Sequence, residues 1–294
     1  MTAPMMDDDL IQPFQVEPCG LRGRLVRLGP ALVDLLSGQD YPPVVARLLG
    51  QAAALAAVLA SSLKYDGLFT LQIKGDGPVS MLVLDVSSDG DMRGYARFER
   101  DRIDGLDGAD VPHLLGAGQM AFTVDQGADT ERYQGITELE GATLGECAQA
   151  YFRTSEQLET AILLACNGER AGGLMVQRLP DAAGEDPDDA EENWRRGVIL
   201  ASSAKAMELT DESLPAQQLL LRLFHEDGVR VYDPRPLRFN CRCSYEKVEA
   251  TLKAFPVDQV ADMVVDDRIE VTCEFCQTTY VMDGTPLKSL LEPE

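Results

Sequence analysis

Cys241-Arg242-Cys243 and Cys273-Glu274-Phe275-Cys276, two close thiol pairs separated by residues 244–272, decide how the C-terminal part of this chain folds. Four sulfurs able to converge on one point are what tetrahedral zinc requires. The first pair is CxC rather than the CxxC usual in a zinc ribbon. Thiols held this close can also oxidise to disulfides once a metal leaves. The spacing therefore reads as a zinc clamp that can double as a redox trigger.

Around the second pair, Arg268 to Thr272 reads as a strand running into Cys273, and Thr278 to Met282 as a strand leaving Cys276. Strand, CxxC and strand make a knuckle that points two sulfurs at a metal. Ser244 caps a helix reaching Ala254, with Val248 and Leu252 inside it, and Val260 to Val265 suggests a shorter helix. A unit of about 60 residues buries little apolar surface, so a metal staple makes physical sense. Structural zinc contributes an apparent ~10–16 kcal/mol, against ~5–15 kcal/mol for the whole stability of a typical domain. Removing the metal should unfold this unit.

Upstream, residues from about 10 to 180 read as an α+β domain. Phe14 to Val16 and Leu21 to Leu28 alternate as strands do. Pro42-Pro43 opens a helix to about Lys64, with Val45, Leu48, Leu49, Leu55, Val58, Leu59 and Leu63 at helical spacing. A meander follows: Phe69 to Lys74, a turn at Gly75-Asp76-Gly77-Pro78, Val79 to Val86, a turn at Ser88 to Asp91, then Arg93 to Phe98. Gln119 to Asp125 and Ile136 to Glu140 add strands, Thr143 to Arg153 a capped helix, and Ile162–Ala165 and Leu174–Arg178 return to the sheet.

The composition changes at Pro180. Asp181 to Glu192 carries Glu185, Asp186, Asp188, Asp189, Glu191 and Glu192 around Pro187 with no large apolar residue, which reads as a solvated, mobile joint. Glu192 to Met207 and Leu219 to His225 then show helical spacing. A linker that is half solvated and half apolar is a candidate for marginal stability. Three units result: residues 1–180, a mixed helix-and-sheet domain; 181–230, an acidic then amphipathic helical linker; and 231–294, the four-cysteine zinc domain.

The 294 residues are 45% hydrophobic with nine Phe and eight Tyr, enough for a core. A net charge of −23 and a pI near 4.4 argue against nucleic acid and favour a soluble, dispersed protein. Asp7-Asp8-Asp9 stands where a secretory signal would be basic and then apolar, and the run Ala52 to Ala60 is half of what a membrane span needs. A cytoplasmic location without membrane association is the expectation. There, paired cysteines more often mean metal or redox chemistry than structural disulfides.

Four readings compete for Cys241, Cys243, Cys273 and Cys276: structural zinc, redox-sensing zinc, a catalytic dithiol, or free core cysteines. A thioredoxin-type dithiol belongs at a helix start after a strand, and two pairs in one small unit do not fit it. Ligated sulfurs are already thiolates, so oxidation would remove the ligand and the folding energy it supplies. Cys19, Cys147 and Cys166 stand alone and read as buried small hydrophobes; His113 and His225 lack partner motifs. No phosphate loop, nucleophile elbow or carboxylate pair stands out, so nothing makes a case for an enzyme.

Phe239-Asn240-Cys241-Arg242-Cys243-Ser244, then Cys273-Glu274-Phe275-Cys276 and Tyr280, resembles the bacterial heat-shock protein 33 family of redox-regulated holdase chaperones. Leu221 to Glu226 is similar to that family's linker helix. Arg22-Gly23-Arg24, Tyr41-Pro42, Lys64-Tyr65-Asp66-Gly67, Leu71-Gln72 and Gly75-Asp76-Gly77-Pro78 match further upstream, so the resemblance covers nearly the whole chain. The acidic stretch at 186–192 is an elaboration outside the pattern. The resemblance implies a reduced, inactive form with one zinc ion on all four cysteines. It implies that oxidation forms Cys241–Cys243 and Cys273–Cys276 disulfides, releases zinc, unfolds the small domain and the linker, and produces a homodimer. That form would hold unfolding client proteins without ATP and pass them to ATP-dependent foldase chaperones. The alternative from another class is a structural zinc-ribbon module that docks a partner without redox switching.

Overall fold

The structure, a computed structural model, describes residues 8–127, 132–180, 186–256, 259–260 and 262–284. In chain order its elements are β1 (Leu10–Val16), β2 (Leu21–Leu28), α1 (Pro30–Leu36), α2 (Pro43–Ser62), β3 (Leu68–Gly75), β4 (Val79–Ser87) and β5 (Asp91–Phe98). The short helices α3 (Arg100–Ile103) and α4 (Val111–Leu115) follow, then β6 (Gly118–Asp125), β7 (Tyr133–Glu138), α5 (Leu144–Tyr151), β8 (Thr160–Cys166) and β9 (Ala171–Arg178). Next come α6 (Pro187–Ser202), α7 (Ala206–Leu209), α8 (Ala216–Phe224), and the two-residue strands β10 (Arg230–Val231), β11 (Arg235–Pro236) and β12 (Arg238–Phe239). The chain closes with α9 (Tyr245–Lys253), β13 (Arg268–Thr272) and β14 (Thr279–Asp283). The α+β class expected from the sequence is the observed one.

Helix α2 is the organising element. Pro43 supplies a first helical residue whose missing N–H is no loss, and the alanine run lets backbone approach backbone. Fourteen of its residues, from Val44 to Ala60, are buried. They pack on one side against β2, β8 and β9, and on the other against β3, β4 and β5. By length and apolarity α2 could cross a membrane, which the count restricted to Ala52–Ala60 missed, yet 78% of its apolar window is buried inside the protein.

The first sheet runs β10-β1-β2-β9-β8, with β11 also on β1; the second runs β12-β5-β4-β3-β6-β7. Because side chains alternate along a strand, each residue set of β2 has its own core. Val26 and Leu28 face α2, whereas Leu21 and Leu25 join Leu10, Phe14, Val16, Leu174 and Val176 on the opposite face. The linker helices cover that second face: Trp194, Leu219, Leu220, Leu223 and Phe224 pack onto it, with the Phe14 and Phe224 rings 5.7 Å apart. Buried Arg27 clamps the cover by donating to the carbonyls of Glu208 and Asp211.

Several boundaries differ from the sequence pattern. The acidic stretch read as a mobile joint is helical from Pro187. Asp186 caps it by accepting from Asp188 N, and Asp188 and Asp189 lie in the first turn, where the helix dipole favours negative charge. Residues 181–185 of that joint lie outside the described residues. The helix placed over 192–207 ends at Ser202 and resumes as α7. Gln259 and Val260 are helical, but Val265 instead bridges to Arg268. Helix α5 stops at Tyr151 and continues as a π-helical turn, and the strand placed at Ile136–Glu140 is β7, Tyr133–Glu138. Helix α1 and the short strands of 230–239 carried no readable pattern, because two-residue strands are too short for one.

Candidate metal centre

Cys241 and Cys243 follow β12, which lies parallel to β5; Asn240 fixes the approach by donating its N–H to Met92 O and its side-chain amide to Asp91 Oδ2. Ser244 then caps α9 by accepting from Lys247 N. Cys273 and Cys276 occupy the turn between β13 and β14. Cys273 N donates to Thr278 O, Gln277 N donates to Cys273 O, and Gln277 takes the left-handed conformation that reverses the chain. Underneath lies a small core of Val260, Ile269 and Met282.

All four Sγ atoms lie within 4.8 Å of one another, with Cys241–Cys243 at 3.5 Å, Cys241–Cys273 at 3.7 Å and Cys243–Cys276 at 3.4 Å. A tetrahedral ion with metal–sulfur bonds of about 2.3 Å has sulfur–sulfur edges of about 3.8 Å. The donor set is thus the size and chemistry that such an ion needs. The sulfurs are half-buried, and a surface cavity of about 340 Å³ is lined by Cys243 and Cys273, so solvent-borne reagents have a path to them.

Hydrogen bonding differentiates the thiols. Burial pushes Cys243 up, to about 12, although the Tyr280 hydroxyl donates to its sulfur at 3.0 Å; burial likewise raises Cys273. Burial also acts on Cys276, but the Thr278 hydroxyl and backbone and the sulfur of Cys243 outweigh it and bring the thiol down to about 7. Tyr280 and Thr278 therefore act on the sulfurs from just outside the cluster.

The intervening residues of both motifs hold the cluster on β4 and β5. Arg242, between the first two cysteines, donates to Asp85 Oδ2 at 2.9 Å, the carboxylate that Arg93 also engages at 2.8 Å. Phe275 stands edge-on to Tyr95 at 4.9 Å, under the Arg93 guanidinium at 3.9 Å. Glu274 pairs with Arg97 at 2.8 Å, and its carbonyl accepts from Gln39. None of these docking contacts was anticipated. They join residues far apart in sequence, and no local pattern pointed to them.

The other singled-out residues fall elsewhere. Cys19 and Cys147 are buried, and Cys166 ends β8. His113 follows the Asp110 cap of α4, and His225 caps the C-terminus of α8.

The model of the family described as "Hsp33 protein" matches residues 9–283. The chain belongs to the Hsp33 family. It is 41% identical to the 33 kDa chaperonin of Caulobacter vibrioides strain NA1000, covering 94% of this chain and 95% of that one. With the 33 kDa chaperonin of Pseudomonas fluorescens strain SBW25 the identity is 37%, covering 97% and 94%. Among solved structures, the Hsp33 homologue of Thermotoga maritima has the same fold, with a TM-score of 0.80 at 23% identity over 96% of this chain and 98% of that one.

Proposed function

We propose that this chain is a redox-regulated, ATP-independent holdase chaperone of the cytoplasm, held inactive by one zinc ion on Cys241, Cys243, Cys273 and Cys276. The chaperone part rests on membership of a family whose curated members are named chaperonins. The switching part rests on one observation: Glu274 and Phe275, which dock the small unit on β5, are the two residues between Cys273 and Cys276. A disulfide across that turn would draw the two sulfurs from within 4.8 Å to about 2 Å, and so would act on the loop that carries both anchors.

Zinc, when bound, holds the sulfurs as thiolates and ties the two chain segments together. Peroxide takes two electrons from each thiol pair, giving one disulfide and two waters per pair. The pairing Cys241–Cys243 and Cys273–Cys276 is the one the resemblance implies. It has physical support, since residues two and three apart remain neighbours after the segments part. With the metal gone, the three-unit division of the chain becomes a sequence of release: residues 231–294 unfold first, then the linker 181–230 leaves the 1–180 domain. The apolar face of Leu10, Phe14, Leu21, Leu25 and Leu174 would then be open to unfolding clients and to a second copy, giving the oxidised homodimer. Reduction would return clients to ATP-dependent foldases. The role is binding, not catalysis, and the acidic surface leaves no footing for nucleic acid.

The test follows zinc release and client aggregation together during peroxide treatment at raised temperature. Release and suppression rising together, and reversing with reductant, support the switch. If zinc leaves and no client is held, the cysteines are the staple of a structural zinc module.

A further inference from the structure

Arg22, in the Arg22-Gly23-Arg24 motif, has no part in the metal centre. It lies opposite Gln177 in the β2–β9 register, so the two side chains leave the sheet on the same face. Both line a cavity of about 170 Å³ between the sheets, beyond the C-terminal end of α2. Leu59, Phe69, Phe122, Phe152 and Leu158 supply its apolar walls. The Phe69 and Phe122 rings are stacked at 6.4 Å, and Tyr151 stands edge-on to Phe122 at 4.3 Å, so the walls are well defined.

Two polar groups in this lining lack partners among the described residues: the Arg22 Nε–H donor and the Gln177 Oε1 acceptor. Gln177 is only 1% exposed, and its amide nitrogen is turned to Thr160 Oγ1 at 3.4 Å. The other polar atoms nearby are committed elsewhere, because the Tyr133 and Tyr151 hydroxyls both donate to Glu156 Oε1 at 2.6 Å. A buried amide oxygen without a donor is costly, and an aromatic cavity that contains one is built for a ligand that supplies it.

We propose that this cavity binds a small flat ring bearing a carboxamide-type edge, its carbonyl accepting from Arg22 Nε–H and its N–H donating to Gln177 Oε1. The volume suits one ring, since an apolar cavity of about 150 Å³ takes up benzene. A carboxylate fits less well: it has no donor for Gln177 and shares the cavity with the Glu156 anion in its lining. Entry lies past Leu63 and Tyr133, which are 36% and 47% exposed at the rim.

The test titrates the full-length reduced protein with benzamide, benzoate and toluene, following the Tyr133, Tyr151 and Phe122 resonances by NMR. Benzamide should saturate, with benzoate about three- to tenfold weaker, the worth of one hydrogen bond, and toluene, which can form neither bond, weaker still. Arg22→Met should weaken benzamide by a similar factor and leave toluene unchanged. Leu63→Trp, at the exposed rim, should block all three while circular dichroism stays native. The proposal fails if no probe shifts those resonances saturably. It fails equally if toluene binds as tightly as benzamide and Arg22→Met alters neither, which would make the cavity a plain apolar void.

Discussion

Asp85 carries an unusual share of the docking between the cysteine unit and the sheet. It is 5% exposed, accepts from the Thr70 hydroxyl, and pairs with Arg93 and Arg242. Burial alone would lower Arg93, but the charge and hydrogen bonds of Asp85 raise it. Asp85→Asn keeps the shape and removes the charge, leaving two guanidiniums part-buried without a counter-ion. Breaking a buried pair costs about 3–5 kcal/mol, and the partial exposure of both arginines reduces this to about 2 kcal/mol. Urea denaturation should show that loss, and peroxide should release zinc faster from the variant than from the parent. Asp9 makes a prediction of opposite character. Its carboxylate accepts from Gly29 N and Ala31 N at the start of α1, yet burial raises it above the usual carboxylate range despite those bonds and nearby Arg170. A folded-state value above the unfolded one means that the folded protein binds the proton more tightly. The Asp9 contribution is therefore present at low pH and lost as pH rises through the raised value. Asp9→Asn should flatten this part of the stability curve, as melting temperatures from about pH 4 to pH 7 would show.

The linker is held by close fit at the level of elements. Gly197 of α6 lies against β2 so closely that a Cβ there would sit 2.4 Å from Leu21 Cδ2 and 3.0 Å from Cys19 Cβ. Gly197→Val should lift α6 from the sheet, at the ~1–3 kcal/mol typical of overpacking. If the cover restrains client binding, the reduced variant should suppress client aggregation without peroxide; an inactive, still-folded variant would separate the linker from that role. What was legible in the sequence follows the same physics. Helix α2 could be read because its apolar spacing runs for twenty residues, and β3 to β5 because glycine-rich turns punctuate them. The convergence of four sulfurs was readable from the spacing of the two motifs alone. The start of α6 was not, because its first turn is acidic and solvent-facing, so the features that cap a helix resemble those that dissolve one. Glu274, Phe275 and Asp85 were invisible for a different reason. Their partners lie far away in sequence, and no local pattern encodes a contact between units.

At the scale of the whole molecule, the two ends of the chain differ sharply in how they are stabilised. One continuous core closes around α2, drawn from both sheets. The cysteine unit buries Val260, Ile269 and Met282, with a few half-buried neighbours. Three such side chains stabilise by about 1.5–3 kcal/mol each. Ordering each residue's backbone costs about 1–2 kcal/mol, so three buried side chains do not fix the unit on their own. Its two-stranded sheet is marginal by itself, so apolar burial cannot hold it. A metal ion on the four sulfurs would add a cross-link that this burial does not provide, and Arg97–Glu274, with both side chains about half exposed, adds little. A chelator added to the reduced protein should therefore abolish amide protection in β13, β14 and α9 while leaving α2 and β3 to β6 protected. Hydrogen exchange followed by mass spectrometry reads both regions in one experiment. Protection should also fall in β12, whose attachment to β5 leads directly into Cys241. Cys276→Ser should reproduce the pattern without chelator, and Cys147→Ser, buried in α5 outside the cluster, should not. If β13 and β14 kept their protection without metal, the four sulfurs would not be what holds the unit together, and their oxidation could not release it.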